Sequence, residues 1–349
     1  MDTKVAFIDK SVIDNIAIKE AAEVIKKGGL VAFPTETVYG LGANALDAAA
    51  VEKIFLAKGR PQDNPLIIHV ADKDISPYVK KVPTLAKELM DAFWPGPLTI
   101  ILEKSSLVPD KTSANLDTVG IRMPSSPIAL KLIAESGLPI AAPSANISGR
   151  PSPTDMERCV EDLKGRVDYI LGGEISAVGV ESTIIDCSVE PPCILRPGAV
   201  TLEMLQEIRK DIYIDPSLLE KPNENLKPKA PGMKYKHYAP KAKVIIIEGD
   251  LEKTIEKINE MVLNYIEQKL MVGILATEES KDKYPKGEVM VLGTRAKPET
   301  AAHNLFETLR ACDDKGLDIV LSEAFPREGI GTAIMNRLTK AAGYHIIKV

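Results

Sequence analysis

Residues 31–45 read VAFPTETVYGLGANA: an apolar run broken by Pro34, three polar residues (Thr35, Glu36, Thr37), and glycines at positions 40 and 42. Upstream, apolar residues recur at helical spacing from Ala17 to Lys27 and stop at Gly28 and Gly29, where glycine accepts the left-handed angles that end a helix. A strand over Leu30 to Phe33 is therefore predicted, with the polar trio just beyond its end. Gly40 to Ala45 matches the spacing of the dinucleotide fingerprint G-x-G-x-x-A. Two features reject that match: PTET separates it from the strand, and Arg60 stands where an acid that binds ribose is required. The segment is read as a glycine-lined turn.

Downstream of the turn, helices are predicted over Ala48 to Lys58, Thr84 to Phe93, Ile128 to Ser136, Thr154 to Leu163 and Leu202 to Arg209. Strands are expected at Leu66 to Val70, Leu98 to Leu102, Thr118 to Met123, Ile140 to Ala142, Tyr169 to Leu171, Ser182 to Cys187 and Cys193 to Leu195. Strands outnumber helices late in this half, which argues for a twisted mixed sheet. From residue 212 regularity lapses, and residues 221–241, KPNENLKPKAPGMKYKHYAPK, carry six lysines against one acid, the composition of a linker. From Lys243 strands and helices alternate strictly to the end, as in a small Rossmann-like, doubly wound α/β domain. The expected fold class is thus α/β, with domains at 1–211 and 242–349 joined by a linker or lid at 212–241.

Composition narrows the function. A chain of 349 residues, 45% hydrophobic and 27% charged, can build packed cores. A net charge of −5 argues against a broad nucleic-acid coat but allows a local anion site. Four scattered cysteines without a C-x-x-C pair suit neither a disulfide scaffold nor a zinc site, and a reducing cytoplasm is the expected compartment. Neither a secretory leader nor a membrane span is expected. There is no P-loop motif and no H-E-x-x-H, so no metal held by protein ligands is predicted. Ser144, in APSAN, lacks the flanking glycines of a nucleophile elbow.

What remains is a series of polar residues where apolar strands begin or end: Thr35, Glu36 and Thr37, Lys58 and Arg60, Arg122, Ser144 and Asn146, Ser182, and Arg196. Cations alternate with small hydroxyls, and acids are scarce among them. Guanidinium and ammonium groups stabilise phosphate oxygens while Ser, Thr and Asn donate neutral hydrogen bonds, so the pattern suits a multiply charged anion.

Taken in order, VAFPTETVYGLGANA, Lys58-Gly59-Arg60 (KxR), NPLIIHV, FWPGPLT, PSANISGRPSPT (SxN), GVESTIID, LRPG and APGMKYKHYAP resemble the Sua5 branch of the YrdC/Sua5 family, the L-threonylcarbamoyladenylate synthases, over nearly the whole chain. The resemblance implies a YrdC-like first domain and a nucleotidyltransferase reaction: L-threonine, bicarbonate or CO2, and ATP give threonylcarbamoyl-AMP and pyrophosphate, for the N6-threonylcarbamoyladenosine modification of tRNA. It implies Mg2+ carried with ATP and a transferase partner that takes the adenylate to tRNA, with a weak contact to tRNA itself left open and no membrane association expected. By the same resemblance Lys58 and Arg60 are the catalytic triphosphate clamps. Asn64, Thr118, Ser144, Asn146, Ser152, Arg196 and Tyr235 surround the nucleotide, while Thr35 or Thr37, His69, Arg122, Ala142 and Ser182 form the threonine pocket, with Arg122 on the carboxylate.

Plainer roles exist for several of these residues. A histidine inside LIIHV can be an edge or core residue, Ser182 can cap a turn, and Trp94 before Pro95 is expected to fix a loop by packing. The lysine-rich linker can be a solvated tether, although Tyr235, His237 and Tyr238 within it suit a lid. Two other functions compete. A carbamoyl-adenylate-forming maturation enzyme would carry cysteine-rich zinc modules, which this chain lacks. A double-stranded RNA-binding module needs a wide basic face, whereas the first 210 residues hold 23 basic against 28 acidic residues.

Overall fold

The structure is a computed structural model that describes residues 2–9, 15–218, 220, 228–233 and 238–349. It divides into two compact units, Met1–Ser148 with Ser152–Tyr235, and Gly149–Pro151 with Lys236–Val349.

The first unit contains β1 (Lys4–Phe7), α1 (Asn15–Lys26), β2 (Val31–Phe33), β3 (Gly40–Asn44), α2 (Ala48–Lys58), β4 (Ile67–His69), α3 (Thr84–Phe93), β5 (Leu98–Glu103), α4 (Asp110–Ser113), β6 (Thr118–Arg122), α5 (Pro127–Ser136), β7 (Ile140–Ala141), α6 (Met156–Leu163), β8 (Tyr169–Gly172), β9 (Thr183–Asp186), β10 (Cys193–Arg196), α7 (Leu202–Ile208) and β11 (Tyr213–Ile214). Among the described residues its strands form one sheet in the order β1-β8-β2-β3-β7-β4-β6-β5-β9-β10-β11. Parallel pairs such as β4 with β6 alternate with antiparallel ones such as β5 with β6, so the sheet is mixed, as its strand-rich sequence predicts.

The expected glycine-lined turn is instead strand β3, antiparallel to β2. Glycine is needed there for close packing: a Cβ on Gly42 would lie 2.6 Å from Ile140 Cγ2 and 2.7 Å from Phe33 Cε1.

Side chains alternate across the sheet. Leu41, Ile68, Ile100, Ile121, Ile185 and Ile194 point to one face and join α2 and α3 in the larger core. The opposite face is shared. Toward β2, β7 and β8 it is covered by α1 and α5 around Phe33, Ile140 and Leu171. Toward β4, β5, β9 and β10 it carries Ile67, Ile101, Ile184 and Leu195, on which Ala230 and Met233 of the lysine-rich segment pack. Lys229 Nζ approaches Asp186 Oδ2 at 3.9 Å on the same side.

The second unit contains β12 (Lys243–Glu248), α8 (Leu251–Glu267), β13 (Val272–Thr277), β14 (Glu288–Gly293), α9 (Pro298–Asp314), β15 (Ile319–Glu323), α10 (Gly331–Ala341) and β16 (Ile346–Lys348). Its sheet, β14-β13-β15-β12-β16, is parallel throughout, the doubly wound Rossmann-like arrangement predicted from alternation. Ile258 and Val262 of α8 pack on Ile245, Ile247, Ile274 and Leu321. At the strands' carboxyl ends the fully buried Glu323 accepts from Tyr284 OH at 2.8 Å and from Thr277 Oγ1 at 3.2 Å, and pairs with Arg295 at 2.7 Å. Among the described residues no helix is long and apolar enough to cross a membrane.

Candidate active site

Helix α2 is capped at its start by Asp47, which accepts from the N–H groups of Ala49 and Ala50, and it ends at Gly59, whose φ of 61° only glycine adopts readily. Lys58 is therefore fixed in the last turn, 1% exposed. Its ammonium donates to the carbonyls of Ser144 and Asn146, and lies 3.4 Å from Asn146 Oδ1. Ser144 Oγ donates to Asn146 Oδ1 at 2.5 Å, and Asn146 Nδ2 donates to Ile147 O at 2.8 Å. The KxR and SxN elements, whose Lys58 and Ser144 are 86 positions apart, thus form one cluster. Arg60 donates to the carbonyls of Pro65 (3.2 Å) and Asn64 (3.5 Å). Asn64 is buried, and its Oδ1 has no hydrogen-bond partner.

A second cluster forms where β2, β4 and β6 end. Thr35 Oγ1 donates to Val38 O at 2.6 Å and stands 2.9 Å from Thr37 Oγ1. With the Thr35 proton committed to Val38, Thr37 is the donor between the two hydroxyls, leaving its oxygen to accept from Arg122 NH1 at 2.9 Å. Thr37 is thus the threonine that touches Arg122, and Thr35 shapes the turn. Arg122 Nε donates to Gly96 O at 3.3 Å, and its NH2 lies 2.6 Å from Glu36 Oε1. Burial opposes ionisation of Glu36, but the charge and hydrogen-bonding of Arg122 together with the backbone N–H groups of Glu36 and Ser125 outweigh it and hold the carboxyl below the usual carboxylate range.

His69 pairs with Arg122 in the β4–β6 register and meets Phe33 edge-on, ring centroids 6.3 Å apart. Burial, reinforced by the Arg122 charge, pushes its imidazole down to about 3, so the ring is neutral at pH 7. Its Nδ1 is buried without a hydrogen-bond partner.

Ser182 and Arg196 are joined directly: Arg196 donates through Nε to Ser182 O at 2.9 Å and through NH2 to Ser182 Oγ at 3.0 Å. Ser182 Oγ also lies 2.8 Å from Thr99 Oγ1. Ser152 Oγ donates to Glu181 Oε1 at 2.6 Å. Ala142 donates its N–H to Ile67 O at 2.9 Å. Thr118 faces the same side of β6 as Arg122 but four residues away, about 13 Å at ~3.3 Å per residue, so it does not join the Arg122 cluster. Tyr235 and His237 lie outside the described residues.

The sequence pattern includes Glu36 but gives it no partner, and it omits one acid, Glu181, and the hydroxyl of Thr99. Glu181 immediately precedes Ser182, which is the local signal for it. Trp94 packs as expected, 4% exposed, with Nε1 donating to Leu98 O at 2.7 Å.

The family model described as "Telomere recombination" (Sua5, YciO, YrdC) matches residues 23–198, and "Threonylcarbamoyl-AMP synthase, C-terminal domain" matches residues 200–343. The chain is 49% identical over 338 residues to a threonylcarbamoyl-AMP synthase of Pyrococcus abyssi, covering 97% of each chain. It is 46% identical over 355 residues to the Bacillus subtilis protein of that name, covering 100% of each. The crystal structure of P. abyssi Sua5 complexed with L-threonine superposes with a TM-score of 0.94 at 48% identity, covering 99% of this chain and 100% of that one. The chain belongs to the YrdC/Sua5 family, in its two-domain Sua5 branch. Its activity is of the threonylcarbamoyl-AMP synthase type, a nucleotidyl transfer.

Proposed function

We propose that this enzyme condenses L-threonine, bicarbonate or CO2, and ATP into threonylcarbamoyl-AMP and pyrophosphate, and that Lys58 and Arg60 take the phosphates while Arg122 takes the carboxylate of threonine. The observation that carries the assignment is the convergence of Lys58 on Ser144 and Asn146, which gathers a buried ammonium with hydroxyl and amide groups. Such a set stabilises phosphate oxygens through charge and directed hydrogen bonds.

In the reaction, the neutral amine of threonine adds to CO2 and gives up a proton to solvent, forming a carbamate. A carbamate oxygen then attacks the α-phosphorus, a new P–O bond forms, and the bond to the β-phosphate breaks with release of pyrophosphate. The chain's contribution is positioning and electrostatic stabilisation. Arg122 orients one end of threonine, Lys58 and Arg60 offset charge on the phosphates, and Ser152, Asn64, Thr118 and Arg196 border the nucleotide. Ser182, Thr37, Ala142 and neutral His69 complete the threonine pocket.

Mg2+ supplies further charge neutralisation when it arrives with ATP. Among the described residues there is no group of three or more His, Cys, Asp or Glu side chains placed to hold a metal. A donor set of cations and neutral amides fits phosphate oxygens, so the ion is assigned to the nucleotide. The segment from 212 to 241 is assigned a lid role that excludes water from the mixed anhydride, supported by the packing of Ala230 and Met233 on the face that bears the site strands. The adenylate would pass to a transferase that acts on tRNA, and any contact of this chain with tRNA would be weak.

Initial rates of pyrophosphate release test the assignment. Lys58→Ala should remove a charge-assisted contact of about 1.5–3 kcal/mol, raising KM for ATP or lowering kcat with the KM for threonine unchanged. Arg122→Met should act on threonine instead. Variants that kept wild-type constants for both substrates would refute the assignment.

A further inference from the structure

Glu36 is a buried acid that the reaction described above leaves without a task. Its Oε1 lies 2.6 Å from Arg122 NH2, with the two side chains 11% and 4% exposed. The contact is short but poorly aligned, so neither oxygen of Glu36 nor NH2 of Arg122 makes a well-directed hydrogen bond, although the backbone N–H groups of Glu36 and Ser125 also bear on the carboxylate. The other donor atoms of Arg122 are engaged, Nε on Gly96 O and NH1 on Thr37 Oγ1. Charge therefore does most to hold the pair together, and the directional contact between the partners is weak. Glu36 also has room to turn, because a cavity of about 180 Å³ opens beside it between Pro34, Thr35, Ser125 and Ser126.

We propose that Glu36 reads the ammonium group of the amino-acid substrate, so that Arg122 and Glu36 form a buried pair of opposite charges matched to a zwitterion. The inference rests on the assignment of the threonine carboxylate to Arg122. A carboxylate arriving there alone would face Glu36 at contact distance, and two buried anions sharing one guanidinium repel. An α-amino acid brings its own remedy: its ammonium is one carbon from the carboxylate, and the assembly of Arg122, Glu36 and zwitterion has no net charge. An acid without the amine leaves one uncompensated negative charge in the pocket. Glu36 is thus a specificity-determining residue that admits amino acids and rejects hydroxy acids of the same shape.

The opposite role would also place a carboxylate beside Arg122. Glu36 could stand in for the substrate's carboxylate and be displaced by it. The two roles differ in sign, because removing an ammonium partner weakens threonine binding whereas removing a competitor strengthens it.

The test compares L-threonine with 3-hydroxybutanoate, which is threonine without its amine, by titration calorimetry on the full-length protein. Glu36→Gln, nearly isosteric, should weaken threonine at least tenfold while 3-hydroxybutanoate binds as before or tighter, so the ratio of affinities falls at least tenfold. Unchanged Trp94 fluorescence would report that the first unit keeps its fold. Equal weakening of both ligands would mean that Glu36 only sets the position of Arg122, and tighter threonine binding would reveal a stand-in. Either result, or an unchanged ratio, overturns the proposal. Arg122→Met, run in parallel, should weaken both ligands at least tenfold. If it binds both normally, the carboxylate assignment itself fails. If it loses both while Glu36→Gln matches the wild type, only the role of Glu36 fails.

Discussion

His69 enters the fold as a neutral ring, and that has a consequence for stability. Burial and the adjacent Arg122 charge depress its pKa to about 3 from a model-peptide value near 6.5. Between those values the unfolded chain binds a proton that the folded chain refuses, so the group's contribution is intact above pH 6.5 and falls away as pH drops toward 3. At pH 5 the loss is about 2 kcal/mol, at ~1.36 kcal/mol per pH unit. Glu36, also depressed, adds to acid sensitivity only below its ordinary range near 4.5. The chain has one tryptophan, Trp94, buried in the first unit, so its fluorescence follows that unit in urea. Between pH 7 and pH 5 the wild type should lose about 2 kcal/mol more than His69→Gln. Parallel losses in the two proteins would show that His69 carries a proton in the fold. At this scale the cations and hydroxyls of the site are legible in the sequence because each occurs inside a recurring block. Glu36 is legible as one of the polar trio beyond its strand but not as the partner of Arg122, and Glu181 is not legible, since an isolated acid reads as a surface residue; only the fold brings Arg122 and Ser152 to them.

Among the elements, the least legible are those whose stability comes from partners distant in the chain. β3 is a strand with two glycines, a residue type that weakens strands, and it forms because Phe33 and Ile140 leave no room for a side chain. β1 is short and largely exposed, with β8 beside it, 165 residues later, to fix its register. The long amphipathic helices and apolar strands need no such help, and periodicity locates them to within a few residues. The lysine-rich segment is legible as a linker, but the burial of Ala230 and Met233 is not, because the apolar surface they cover is assembled from β4, β5, β9 and β10. Ala230 is fully buried, and Ala230→Asp would place a charge against Ile67 and Ile184, which burial without a partner strongly disfavours. The segment should detach. Limited proteolysis between residues 221 and 241 should then accelerate, and the yield of adenylate should fall while the Trp94 transition persists. Unchanged cleavage and yield would make the segment a tether rather than a lid.

At the level of the whole chain, both units are legible as α/β, the second more completely because its parallel sheet enforces strict alternation of strand and helix. What the sequence pattern withholds is the meeting of sites: Lys58 with Ser144, Thr37 with Arg122, and Ser182 with Arg196 require a folded sheet to bring strand ends together. Together they make an enzyme whose attacking nucleophile does not exist until threonine and CO2 have combined, so neither alone supports turnover. The most direct measurement is mass spectrometry of the product formed by the full-length protein from ATP, Mg2+, L-threonine and 13C-bicarbonate, with pyrophosphate followed in the same reaction. Threonylcarbamoyl-AMP should appear carrying the 13C label in its carbamoyl carbon, matched by pyrophosphate, and both should vanish when threonine or bicarbonate is omitted. Pyrophosphate or phosphate released at the same rate without threonine, with no labelled adenylate, would contradict it.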